Sequence, residues 1–197
     1  MKVIEQEIHS LKNSISEMWA LVHQQLYNAG EAMLTGDKEL AYKVISRERR
    51  VNAFELKIDS DCEDIIALYA PVAIDLRFVL AMYKINTNLE RLGDFAESIA
   101  RFAGNLPEGE PIDPQLVKET RVEEMLSELL SMISLTKEAF EKESSEIASR
   151  IFLKDNLIDE INHNSTAIIA KYIEEHKGSA LAGLYMAGVI RKMGRFG

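Results

Sequence analysis

All four prolines of this 197-residue chain fall in two places, Pro71 and the stretch holding Pro107, Pro111 and Pro114. A proline inside a helix removes a hydrogen bond and clashes with the preceding turn, so the proline-free remainder is open to long uninterrupted helices. Those stretches are rich in Ala, Leu, Glu, Lys and Met, whereas strand-length runs of aromatic and β-branched residues are scarce. The chain is therefore expected to be all-α. Thr35-Gly36 ends a first helix begun near Ile4, and Asp37 is placed to cap a second that continues to about Tyr69. Pro71 suits the first turn of a third helix ending near Ala103. Gly109 joins three prolines between Gly104 and Pro114, and this linker divides the chain.

Beyond the linker a fourth helix is expected from about Pro114 to Glu141, a fifth from Glu143 to His176, and a sixth after Lys177-Gly178-Ser179. Long helices joined by short turns become antiparallel neighbours in a bundle. The expected organisation is two tandem three-helix bundles made of six long antiparallel helices. The first unit covers residues 1–103, the linker 104–114 and the second unit 115–197, with the sixth helix shortened or truncated.

The formal net charge of -9, with no Lys/Arg-rich stripe, argues against a nucleic-acid partner. A single cysteine, Cys62, rules out an intramolecular disulfide and reads as a small core residue of a protein in a reducing compartment. No apolar run has the length of a membrane span, and the start lacks a signal-peptide core, so the expectation is a cytoplasmic protein that meets membranes only through partners. Nucleophile elbow, P-loop, dinucleotide fingerprint and H-E-x-x-H motif are all missing from the sequence, which points away from an enzyme.

Three helices break the apolar pattern that a core-facing stripe requires. The second carries Ile45, Glu48, Asn52, Glu55, Asp59, Cys62, Ile66 and Tyr69 along one line, polar in the middle and apolar towards the ends. The third carries Val72, Leu76, Val79, Tyr83, Asn86, Glu90 and Asp94 beside the apolar stripe of Phe78, Met82, Ile85, Leu89, Leu92, Ala96 and Ile99. The fifth carries Ala148, Phe152, Asp155, Asp159, Asn162, Thr166, Ile169 and Ile173. At a spacing near 100 residues, Asn52, Glu55 and Asp59 have counterparts in Asp155, Asp159 and Asn162, the mark of a tandem repeat.

Glu55 and Asp59, Glu90 and Asp94, and Asp155 and Asp159 each stand four apart, so each pair projects from one helix face. Like charges at this spacing repel by roughly 0.2–0.5 kcal/mol in water, and by more where water is partly excluded. Lys57, Arg91 and Lys154 are near in sequence but point to other sides of their helices. A multivalent cation offsets such repulsion better, because a hard ion takes several carboxylate oxygens from two helices at once. His163 could add a nitrogen, and iron, manganese, magnesium and zinc all remain open. One acid pair taken alone is usually a solvated face that binds nothing; three, each set in an otherwise apolar line, are harder to dismiss in that way.

Arg50 to Asp59, the triplet Asp75-Leu76-Arg77 within Ala73 to Arg77, and Lys84 to Ala100 with its Leu89-Glu90-Arg91-Leu92-Gly93-Asp94 run closely resemble the first repeat of PhoU proteins. The resemblance implies two tandem three-helix bundles and metal clusters bound on Glu/Asp-x-x-x-Asp motifs. It also implies a cytoplasmic adaptor that links a phosphate ABC transporter to a membrane sensor kinase and holds the phosphate-starvation response off when phosphate is plentiful. Carried over by position, Glu55, Asp59, Glu90 and Asp94 form the first acidic face, and Asp155 and Asp159 belong to the second. A homodimer is a further candidate state.

In the second half the likeness loosens. Aligning the sixth helix on the third sets Gly194 against Glu90, and the partner of Asp94 falls past residue 197. Two alternatives stand beside the regulator. One is an accessory protein in the same fold serving a different phosphate carrier. The other is a carboxylate-bridged di-iron enzyme, which calls for two Glu-x-x-His motifs where only Glu160-Ile161-Asn162-His163 fits.

Overall fold

The computed structural model describes residues 3–106, 112–152 and 154–196, and among them every regular element is a helix. Pro107, Gly109 and Pro111 of the expected linker lie outside the described residues. The first bundle is α1 (Val3–Thr35), α2 (Lys38–Tyr69) and α3 (Ala73–Asn105). Its ends follow local chemistry. Gly36 turns at φ 72, the left-handed region that glycine enters without strain, and Asp37 accepts from the Leu40 N–H at 2.9 Å to cap α2. The α2–α3 turn is tighter, with Ala70 and Ala73 both at positive φ and Pro71 just ahead of the helix rather than in its first turn.

On α1 the stripe Leu11, Ile15, Met18, Val22, Leu26, Ala29 and Met33 is fully or almost fully buried. Each such large side chain contributes roughly 1.5–3 kcal/mol of hydrophobic stabilisation. From α3, Met82, Leu89, Leu92, Ala96 and Ile99 answer it, as the apolar stripe requires. Gly93 lets α2 and α3 approach closely, since a Cβ there would stand 2.8 Å from Val51 Cγ1.

The second bundle is built on α5 (Val122–Lys142), α7 (Asp155–Glu175) and α8 (Ala180–Met193), with short α4 (Pro114–Thr120) and α6 (Ser145–Ile151) between them. Two expected helices are thus divided. The fourth breaks at Arg121, which takes φ 55 and is held there by its guanidinium, bidentate on Glu124 at 2.7 and 2.8 Å and reaching Glu160 at 2.8 Å. The fifth breaks again after α6, so Asp155 opens a helix instead of lying inside one, and Phe152, expected on the core line, is 77% exposed. Trp19 joins the two bundles: its indole N–H donates to the Ile133 carbonyl at 3.2 Å, and its ring stacks on Phe140. No helix of the described residues is long and apolar enough to cross a membrane.

Candidate metal centre

Antiparallel packing of α2 on α3 sets the two polar lines face to face. At one end Asn86, wholly buried, donates its amide to the Glu55 carbonyl at 2.9 Å and to Asp59 Oδ1 at 2.7 Å. Its own Oδ1 is buried and has no partner. A buried oxygen with no donor is an arrangement proteins rarely leave uncompensated.

In the middle, Glu90 is half-buried. Its pKa is pushed up to about 7, first by burial, then by the charges of Asp94 and Glu55, with the hydrogen bond to Asp94 and the Glu48 charge adding to it. Burial and the neighbouring like charges both favour the protonated form of this acid. Glu48 is raised for the same reasons, with burial largest and Glu97 and Asp94 adding to it, while a hydrogen bond from Asn52 and the charge of Arg101 pull it partly back.

The charges of Asp94, Glu55 and Glu48 all reach Glu90, and those of Glu97 and Asp94 reach Glu48. Asp59 lies one turn away, held by Asn86 rather than facing Glu90. Glu48 stands seven residues before Glu55 and Glu97 seven after Glu90, two helical turns in each case, so a search extended by two turns would have found both. Lys57 donates to Asp61 and Ser14, Arg91 lies over the Phe196 ring, and Lys154 binds Glu128 at 3.0 Å; none of these cations serves the acid pairs.

The second half is built differently. Asp155 is half-buried, with Oδ1 buried and unpartnered, and Asp159 is exposed. No carboxylate comes to meet them from α8, because Gly194 sits where the repeat places Glu90. A Cβ at Gly194 would be 2.6 Å from Asn162 Nδ2, so a glutamate there would displace Asn162. His163 is exposed, and Glu160 is occupied by Arg121.

Among the described residues, no three His, Cys, Asp or Glu side chains are disposed as a ligand shell around one point. The donor chemistry of the α2–α3 strip still suits a hard cation. Glu48 and Glu55 of α2 and Asp94 of α3 lie near enough for their charges to reach Glu90, the Asn86 side-chain oxygen is buried without a partner, and oxygen donors of this kind are those a hard cation takes.

The PhoU domain sequence model matches residues 15–103 and 122–197. The chain belongs to the PhoU family. A PhoU homologue of Aquifex aeolicus, named a phosphate-specific transport system accessory protein, is 32% identical over 187 residues, covering 94% of this chain and 82% of its own length. The protein of that name from Escherichia coli strain K12 is 31% identical, covering 95% and 78%. Among solved structures, PhoU from Pseudomonas aeruginosa superposes with a TM-score of 0.86 at 25% identity, covering 98% of this chain and 90% of its own. The phosphate transport system regulatory protein PhoU from Streptococcus pneumoniae superposes at 0.84 and 27% identity, covering 98% and 89%. The all-helical, two-bundle architecture is thus that of PhoU proteins.

Proposed function

We propose that this PhoU-family chain regulates phosphate uptake and phosphate-starvation signalling. It acts as a metal-binding cytoplasmic adaptor between a phosphate ABC transporter subunit and a membrane sensor kinase, and not as an enzyme. The names carried by its relatives support the phosphate-transport part of this reading. The metal part is supported by one arrangement: half-buried Glu90 lies near Asp94, Glu55 and Glu48, and burial together with their charges pushes its pKa up to about 7.

A divalent ion there would join α2 to α3 across the strip, and the rigid bundle would present that charged face to its partner. Glu48, Glu55, Glu90 and Asp94 are the proposed ligands. Asp59 positions Asn86, and Asp155 and Asp159 form a weaker second candidate. Against the di-iron alternative, Glu160 of its single Glu-x-x-His motif is exposed and pairs with Arg121.

Elemental analysis of protein purified without a metal-affinity step tests the reading. Wild type should carry iron, manganese, zinc or magnesium, and Glu55→Ala and Asp94→Ala should lose it. Equal, negligible metal in all three would defeat the assignment.

A further inference from the structure

On the far side of Asp94 lies a cluster of the opposite sign. Arg91 of α3 with Lys192 and Arg195 at the end of α8 line one cleft of about 350 Å³, together with Asp94, Phe95 and Glu97. Two contacts build the cleft by fastening α8 to α3. Lys192 Nζ donates to Ser98 Oγ at 2.7 Å, and Phe196 stacks on Phe95 with ring centroids 5.6 Å apart. Arg91 is laid over the same Phe196 ring, 5.7 Å from its centroid, which holds the guanidinium in place while leaving its N–H fork free.

Among the described residues, none of these three cations has a carboxylate within salt-bridge distance. Of the two acids in the cleft, Glu97 is held by Arg101 at 2.6 Å. Among the described residues that line the cleft, Asp94 is thus the one acid not held by another cation. Two guanidinium forks and one ammonium around a small cleft match the oxygen pairs of a tetrahedral oxyanion.

Arg91, Arg195 and Phe196 also border a neighbouring cavity of about 350 Å³, walled by Trp19, Leu92 and Met132. An organic group attached to such an anion would find an apolar seat there.

We propose that the α3–α8 cleft binds a phosphate-class oxyanion, either inorganic phosphate or the phosphoryl head of a phosphate ester, through Arg91, Lys192 and Arg195. The cleft does not depend on the metal reading, because none of the three cations is a proposed metal ligand. An ion held by Asp94 would only strengthen it.

The test is calorimetric titration of the full chain in phosphate-free, low-salt buffer, with inorganic phosphate and with phenyl phosphate as probes, in chelated and in metal-loaded protein. Saturable binding is expected in both preparations, weakened about tenfold by Arg91→Ala and by Arg195→Ala, less by Arg91→Lys, and unaffected by Arg77→Ala, an exposed arginine outside the cleft. Melting curves establish that the variants are folded. Tighter binding of phenyl phosphate assigns an ester as the ligand, and equal or weaker binding assigns inorganic phosphate. Failure of both probes to saturate by about 10 mM, or an equal loss in Arg77→Ala, overturns the proposal. Binding that needs metal and survives Arg195→Ala also overturns it, by placing the anion on the ion instead.

Discussion

Asn86 of α3 reaches across the helix pair and donates its amide to both the Glu55 carbonyl and the Asp59 carboxylate of α2, at 2.9 and 2.7 Å. This one buried side chain ties the acidic strip together. Asn86→Ala removes both bonds and leaves their acceptors behind, so it should cost about 1–3 kcal/mol of unfolding free energy. Urea denaturation measures the loss, and an unchanged midpoint would show that the bridge contributes nothing.

Glu90 makes the metal-free protein pH-dependent. Its folded pKa, about 7, lies above the ordinary 4.5, so the folded chain holds this proton more tightly than the unfolded one. The stability it contributes is complete below about pH 4.5 and is lost as pH rises through about 7. Glu48, also raised, acts in the same direction. Glu90→Gln cannot ionise and should be about 1 kcal/mol more stable than wild type at pH 8 in chelator, a value kept small by solvent screening. Near pH 4.5 the gap should close. A constant difference at both pH values would remove the proton from the account.

Gly93→Ala places a methyl 2.8 Å from Val51 Cγ1, closer than real contacts allow. Overpacking of this kind costs about 1–3 kcal/mol. Adding Val51→Ala makes room, so the double variant should be less destabilised than the two single losses added together. A thermodynamic cycle from denaturation curves reads the coupling, and simple additivity would mean that the helices separate freely.

The two halves should differ in metal content. Loss is expected in Glu55→Ala and Asp94→Ala, while Asp155→Ala and Asp159→Ala should retain the wild-type amount, because Gly194 brings no carboxylate to meet them. Elemental analysis of the four variants side by side decides it. Loss in the second pair would move the centre to α7.

Cys62 should be inert while the chain is folded. It is wholly buried, and burial first, then the charges of Asp59, Asp61 and Glu63, push its thiol up to about 12. A thiol-reactive chromophore at pH 8 should modify it only in denaturant. Stoichiometric labelling of native protein within minutes would mean that α2 opens locally.

Much of the first bundle was legible in sequence because its signals are local. The Thr35-Gly36 stop, the Asp37 cap and the stripe from Met82 to Ile99 each act within a few residues of themselves. The second half was less so. The breaks at Arg121 and after Ile151 carry no proline or glycine, and Arg121 leaves the helix through bonds to Glu124 and, from another helix, Glu160. A break held partly by a partner 39 residues away has only half its cause in the local sequence.

The candidate site divides along the same line. Glu55, Glu90 and Asp94 stood out because acids four apart interrupt an apolar stripe, and that anomaly is visible in one dimension. Glu48, Glu97 and the bridging role of Asn86 were not. The sequence alone determined which residues each helix carries and which of them share a face, since helical periodicity follows from the backbone. Only the tertiary structure decided which faces meet: the register of α2 on α3, set by the approach at Gly93 and Val51, brings Glu48 towards Asp94 and Glu97 and Asp59 against Asn86. It does so because side-chain packing between distant segments, and not the propensity of either helix, selects one sliding position over the others.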